Sequence, residues 1–171
     1  MSNFLQADML RGRKNIVVSR DGKLGEEVLL SDRSTPGIGP ESSQTGMFVE
    51  AIIVKASEVL SSPAGKGVHF TAAGYGTIIA NESASGEICD GIVDPDLTGN
   101  LAVDDTFLLY RRGPMPIIAS AAIVVGPLKT ANGGKFVAAT TEDAPTRCGR
   151  LLVAASADGD ARRAFMDFTR P

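Results

Sequence analysis

The sequence predicts an all-β fold in a single domain, a β-sandwich, jelly roll or barrel-like sheet, with an extended N-terminal arm. Three observations predict it. Short runs rich in β-branched residues recur along the chain and are bounded by turn formers. The 171 residues include 19 glycines and nine prolines, which favours many short elements joined by tight turns. Apolar residues nowhere keep helical spacing for three turns; the best stretch, KASEVLSS at 55–62, supplies one or two.

Residues 1–14 form the arm and 15–171 the β domain. In the arm, the apolar Phe4, Leu5, Met9 and Leu10 stand just ahead of the basic Arg11, Arg13 and Lys14, an arrangement that suits a segment whose apolar side needs a partner. Residues 15–19 and 26–31 flank Asp21-Gly22, and an Asp-Gly pair between apolar runs predicts a hairpin. Residues 31–46, SDRSTPGIGPESSQTG, are almost free of large side chains and predict a long surface loop. Strands are then expected at 48–55, 68–73, 75–81 and 87–93, spaced as in a sandwich or barrel. The rhythm continues at 106–111, 115–120, 122–126, 134–140, 149–156 and 161–168, with a second Asp-Gly turn, Asp158-Gly159, joining the last two.

An apolar content of 43% is enough for the core of one ordinary domain. Seventeen basic and 20 acidic residues leave a net charge of −3, aromatic residues make up 5%, and tryptophan is absent. This composition disfavours nucleic-acid binding, which calls for a basic surplus and stacking rings. There is no apolar run of membrane-spanning length, and the opening residues lack the hydrophobic stretch of a signal peptide, so a soluble protein made in the cytoplasm is expected. In that setting Cys89 and Cys148 are expected as reduced thiols; neither has C-x-x-C spacing.

Chemistry-bearing motifs are sparse. His69, the one histidine, alternates with Val68 and Phe70 and reads as a structural residue on a strand; no G-x-S-x-G elbow accompanies it. One histidine and two distant cysteines do not make a zinc site. The glycine-rich SSPAGKGV lacks the spacing of a phosphate loop and reads as a turn. Asp90, Asp94, Asp96, Asp104 and Asp105 depart from EF-hand spacing and are expected as solvated turn acids.

The segment GIVDPDLTGNLAV, residues 91–103, resembles the G-[IV]-[IV]-D-x-D-Y-x-G motif of the trimeric dUTPase and dCTP deaminase family. That resemblance implies a nucleotide hydrolase in which Asp94 holds the sugar 3′-hydroxyl, although Leu97 stands where the family has an aromatic ring. A turn between two strands is the plainer alternative.

A longer resemblance runs through the second half. Asp105, Thr106 and Phe107, then Gly113-Pro114, then Gly126, Leu128, Thr130 and Ala131, then residues 134–138, and finally Gly149, Ala154, Ala155 and Gly159 resemble the capsid decoration, or cement, proteins of tailed bacteriophages. The match spans about 65 residues and rests on turn glycines and small residues. It implies a structural virion protein without enzymatic activity or cofactor, made in the host cytoplasm and placed on the exterior of the expanded head. Its partner would be the major capsid protein, and it would form a homo-oligomer, a trimer ahead of a dimer. Phe4, Leu5, Met9, Leu10, Arg11, Arg13 and Lys14 are the candidate capsid-binding residues, with the loop at 31–46 as a second contact. The dUTPase-like hydrolase and another β-rich virion module, such as a fibre base, are the alternatives.

Overall fold

The computed structural model describes residues 9–17, 22–31, 48–71, 78–82, 88–143 and 146–169. The chain is all-β. Its strands are β1 (Glu27–Ser31), β2 (Phe48–Ala56), β3 (Gly67–Phe70), β4 (Ile78–Glu82), β5 (Gly91–Val93), β6 (Thr106–Ile118), β7 (Gly126–Thr130), β8 (Phe136–Ala138), β9 (Gly149–Leu151) and β10 (Ala161–Asp167). They form one sheet in the order β1-β2-β4-β3-β5-β6-β10-β9-β7-β8, with β2 pairing β6 as well.

That extra pairing closes β2, β4, β3, β5 and β6 into a ring, a five-stranded barrel whose members leave no unpaired edge between them. All its ladders are antiparallel except β2–β4. The strand alternation sorts the apolar residues into two cores. Ile52, Val54 and Ala56 of β2, Val68 and Phe70 of β3, Val93 of β5, and Phe107 and Leu109 of β6 fill the barrel, with Leu60, Leu97 and Leu101. Their neighbours Val49, Ala51, Ile53, Ile92, Leu108 and Tyr110 face outward into a second core. There they meet a wing made of β7 to β10, through Leu128, Phe136, Leu151, Ala164 and Met166.

Strand β6 links the two parts. Two strands were expected at 106–111 and 115–120, divided at Gly113-Pro114; the structure has one 13-residue strand. Its first half pairs β2 and its second half pairs β10. Asp167 of β10 lies opposite Arg112, and the amide of Phe168, just past β10, donates to the Arg111 carbonyl, so the odd residues of β6 bond to β10. Pro114 and Pro116 therefore fall on the other edge, where Ile118 donates to Gly65 and a missing N–H costs no ladder bond.

Other expectations shift. Residues 15–17 form no strand, and residues 18–21, with the turn expected at Asp21-Gly22, lie outside the described residues. Ile16 bonds to Thr106 at the start of β6, Gly25 and Glu26 bond to Ile53, and β1 pairs β2 across the expected long loop. The strand expected at 122–126 moves to Gly126–Thr130; Val124 and Val125 are exposed, and Ile123 keeps a single bridge to Ala155. The segment at 55–62 is the end of β2 followed by bends and the Leu60–Leu101 bridge. The second Asp-Gly turn is present, with Gly159 at φ +82° and the Asp160 amide bonded to Ala157. Cys89 and Cys148 are both buried and form no disulfide with each other. Residues 32–47, and with them nearly all of the loop predicted at 31–46, lie outside the described residues.

Candidate functional site

A dense polar arrangement lies where residues 9–17 cross the end of β5 and the first half of β6. Asp94 directly follows β5, and its carboxylate is fully buried. One oxygen, Oδ2, accepts the Gly12 amide at 2.6 Å, and Oδ1 accepts the Asp96 amide at 3.0 Å. The Tyr110 hydroxyl, from the middle of β6, lies beside this carboxylate. Arg11 donates to that hydroxyl at 3.3 Å and lies over the Tyr110 ring, 5.8 Å from its centroid. A second nitrogen of Arg11 donates to the Ser31 carbonyl of β1.

Apolar anchors hold the same segment. Leu10 and Ile16 are buried in the outer core at 5% and 2% exposure. Ile16 exchanges bonds with Thr106, its amide reaching the Thr106 carbonyl at 3.3 Å and its carbonyl accepting the Thr106 hydroxyl at 2.6 Å. Lys14 adds a bond to the Asn100 carbonyl at 3.1 Å. Gly12 makes the close approach possible: it sits at φ +67°, and a Cβ there would lie 2.8 Å from the Asp96 carbonyl oxygen.

Burial pushes the Asp94 carboxyl up from its ordinary value, while the Gly12 and Asp96 amides pull it the other way. Burial, and next the Asp94 charge, hold the Tyr110 phenol well above its ordinary range. These groups form a structural clasp. The expectation of a solvated Asp94 does not hold: a strand that ends in the barrel wall carries it inward, and the Gly12 and Asp96 amides take the place of water. A carboxylate so enclosed has no face for a sugar hydroxyl. Leu97, at the position of the family's aromatic ring, is likewise buried, inside the barrel. The hollow beside the clasp, between Arg11, Asp96, Tyr110, Pro114 and Pro116, measures about 260 Å³ including open solvent. The space in it for water-sized groups is only about 10 Å³, far below the roughly 300–1,000 Å³ of a small-molecule pocket.

The remaining carboxylates are spent separately. Asp90 accepts the Phe70 amide, Asp105 accepts the Ala102 amide, and Asp104 pairs with Lys55 at 2.9 Å. Among the described residues no three His, Cys, Asp or Glu side chains are grouped to hold a metal. His69 lies on β3 between the barrel-filling Val68 and Phe70, half-buried, as its alternation predicts.

Of the candidate capsid-binding residues, Phe4 and Leu5 lie outside the described residues. Met9 is 71% exposed, and Arg13 and Lys14 are exposed. Leu10 and Arg11 are engaged with their own chain, as given above. Tyr110 and Gly12 have no signature in the sequence, because their role arises only when residues about a hundred apart meet.

No family model matches this sequence, and no curated protein does. Among solved structures, the chain is similar to the head fibre gp8.5 N base of bacteriophage phi29. The two share a fold. The superposition covers 96% of that chain and 71% of this one, with a TM-score of 0.52 and 17% sequence identity. Nearly the whole fibre base thus has a counterpart in this chain.

Proposed function

We propose that this chain is a structural protein of a phage virion, a decoration or cement protein that binds the exterior of the expanded head and stabilises it by bridging neighbouring major capsid subunits. The observation that carries this reading is the fold shared with nearly all of a phage head-fibre base. The decoration-protein resemblance of the second half supports it independently, since it rests on the turn residues of β6 to β10. The buried, fully engaged Asp94 weighs against the nucleotide-hydrolase alternative.

The physics suits the role. A rigid barrel with a packed wing needs no catalytic group to hold a lattice together; it needs area and repeated copies. Lasting attachment takes roughly 1,200–2,000 Å² of buried surface per interface. Phe4, Leu5 and Met9, with Arg13 and Lys14, are the proposed contacts of the arm, while Leu10 and Arg11 hold its base. A trimer is the proposed assembly, made in the host cytoplasm and placed on the capsid exterior.

Co-sedimentation with expanded, undecorated heads, followed by heating of the shells, tests the proposal. Saturable binding with a raised shell disruption temperature is expected, because a ligand specific for the assembled lattice stabilises it. Absence of binding to heads that accept their own decoration protein refutes it.

A further inference from the structure

Asp94 fixes the segment that leads to the proposed contact residues. Its Oδ2 holds the Gly12 amide, Arg11 and Tyr110 brace the same point, and Leu10 and Ile16 pin the flanks on either side. Between these anchors the chain has little freedom to swing, and Met9, one residue beyond Leu10, stands exposed. The described chain thus begins at a fixed place on the barrel.

We infer that Asp94 and Tyr110 are positioning residues for attachment: by clasping the chain at Gly12 they set the place and direction from which the first residues of the arm reach a partner surface. The inference rests on the reading of the arm as the attachment element. An arm held at its base loses less freedom when it docks than one tethered at the barrel's first strand, and this pre-organisation appears as affinity.

The test uses the full chain and two readouts, amide hydrogen exchange in the free protein and co-sedimentation with expanded heads. Asp94→Ala removes the acceptor, and Gly12→Ala attacks the clasp from the other side, through its positive φ and the contact with the Asp96 carbonyl. Gly12→Ala keeps the result interpretable should Asp94→Ala disturb the barrel. In both variants amides at 10–16 are expected to exchange about 10- to 100-fold faster, the loss of a hydrogen bond to a charged group, while β2 and β6 stay protected. Affinity for heads is expected to fall about tenfold or more. Asp94→Asn keeps one acceptor oxygen and is expected to restore part of both. Unchanged exchange at 10–16 overturns the clasp. Faster exchange with unchanged head affinity overturns the positioning role. A wild-type chain lacking residues 2–8 that still binds fully overturns the arm reading itself, and its exchange pattern still reports on the clasp.

Discussion

Gly113 is the position where a single methyl group tests the architecture most directly. It lies in β6 at the point where β2 gives way to β10 as the neighbouring strand, at φ +118°. A Cβ at this position would lie 2.6 Å from the Phe48 carbonyl oxygen and 3.1 Å from the Val49 Cα. Both are backbone atoms of β2, so no side-chain rotation relieves the clash. The backbone strain of an alanine at positive φ costs about 1–3 kcal/mol. Overpacking against a fixed wall costs a further ~1–3 kcal/mol. Gly113→Ala is therefore expected to lose about 2–6 kcal/mol, a large part of a stability that for a single domain is about 5–15 kcal/mol. In a chain of this size that lowers the melting temperature by about 10 °C. Gly99→Ala is the control, with φ +77° and nothing within 4 Å of the added carbon, so it carries the strain alone. Urea unfolding of the two variants side by side separates strain from contact. If Gly113→Ala is no less stable than Gly99→Ala, β2 does not press on β6 there, and the account of the strand switch is wrong.

Two further outcomes follow from the packing and the charges. Phe107→Ala inside the barrel and Phe136→Ala in the wing should each cost about 3–5 kcal/mol. Both should shift one common unfolding transition, because the outer core is shared by barrel and wing; a separate wing transition in urea would refute that coupling. Asp143 is held well below the ordinary carboxylate range, first by the Lys129 bond at 2.8 Å, and Asp160 is lowered by the Ser156 hydroxyl and amide. Both contributions are present above about pH 4 and are lost as pH falls through the lowered folded values. Protection of the Thr140 and Ser156 amides should fall in acid before that of β2 and β6; simultaneous loss would show that these bonds are incidental.

The sequence carries local information and yields what is local. The apolar runs at 48–55 and 106–111 are strands because alternate residues face two different cores, and both patterns are visible in the letters alone. The Asp158-Gly159 turn forms as its chemistry requires, with Asp160 accepting from Ser156. Around the same dipeptide at Asp21-Gly22, long-range partners take the flanks, Ile16 bonding to Thr106 and Glu26 to Ile53; residues 18–21 lie outside the described residues. Gly113-Pro114 reads as a break, yet the chain continues straight because the prolines fall on the edge that needs no donor. Ring closure by β2 and β6 joins residues more than fifty apart, and no local motif announces it. Asp94 was visible as an unusual aspartate; its enclosure was not, because its partner Gly12 lies 82 residues away.

The docking of residues 10–16 has a consequence for the order in which the molecule is made. The groups that receive this segment, Asp94, Asn100, Thr106 and Tyr110, follow it in the chain by 82 to 99 residues. During synthesis this segment emerges at a time when neither β5 nor β6 exists. Leu10 and Ile16 then have nowhere to go until the ribosome has passed residue 110 and the barrel has closed. A segment made before the barrel is thus among the last to settle, and a chain that stops short of β6 never fixes residues 10–16.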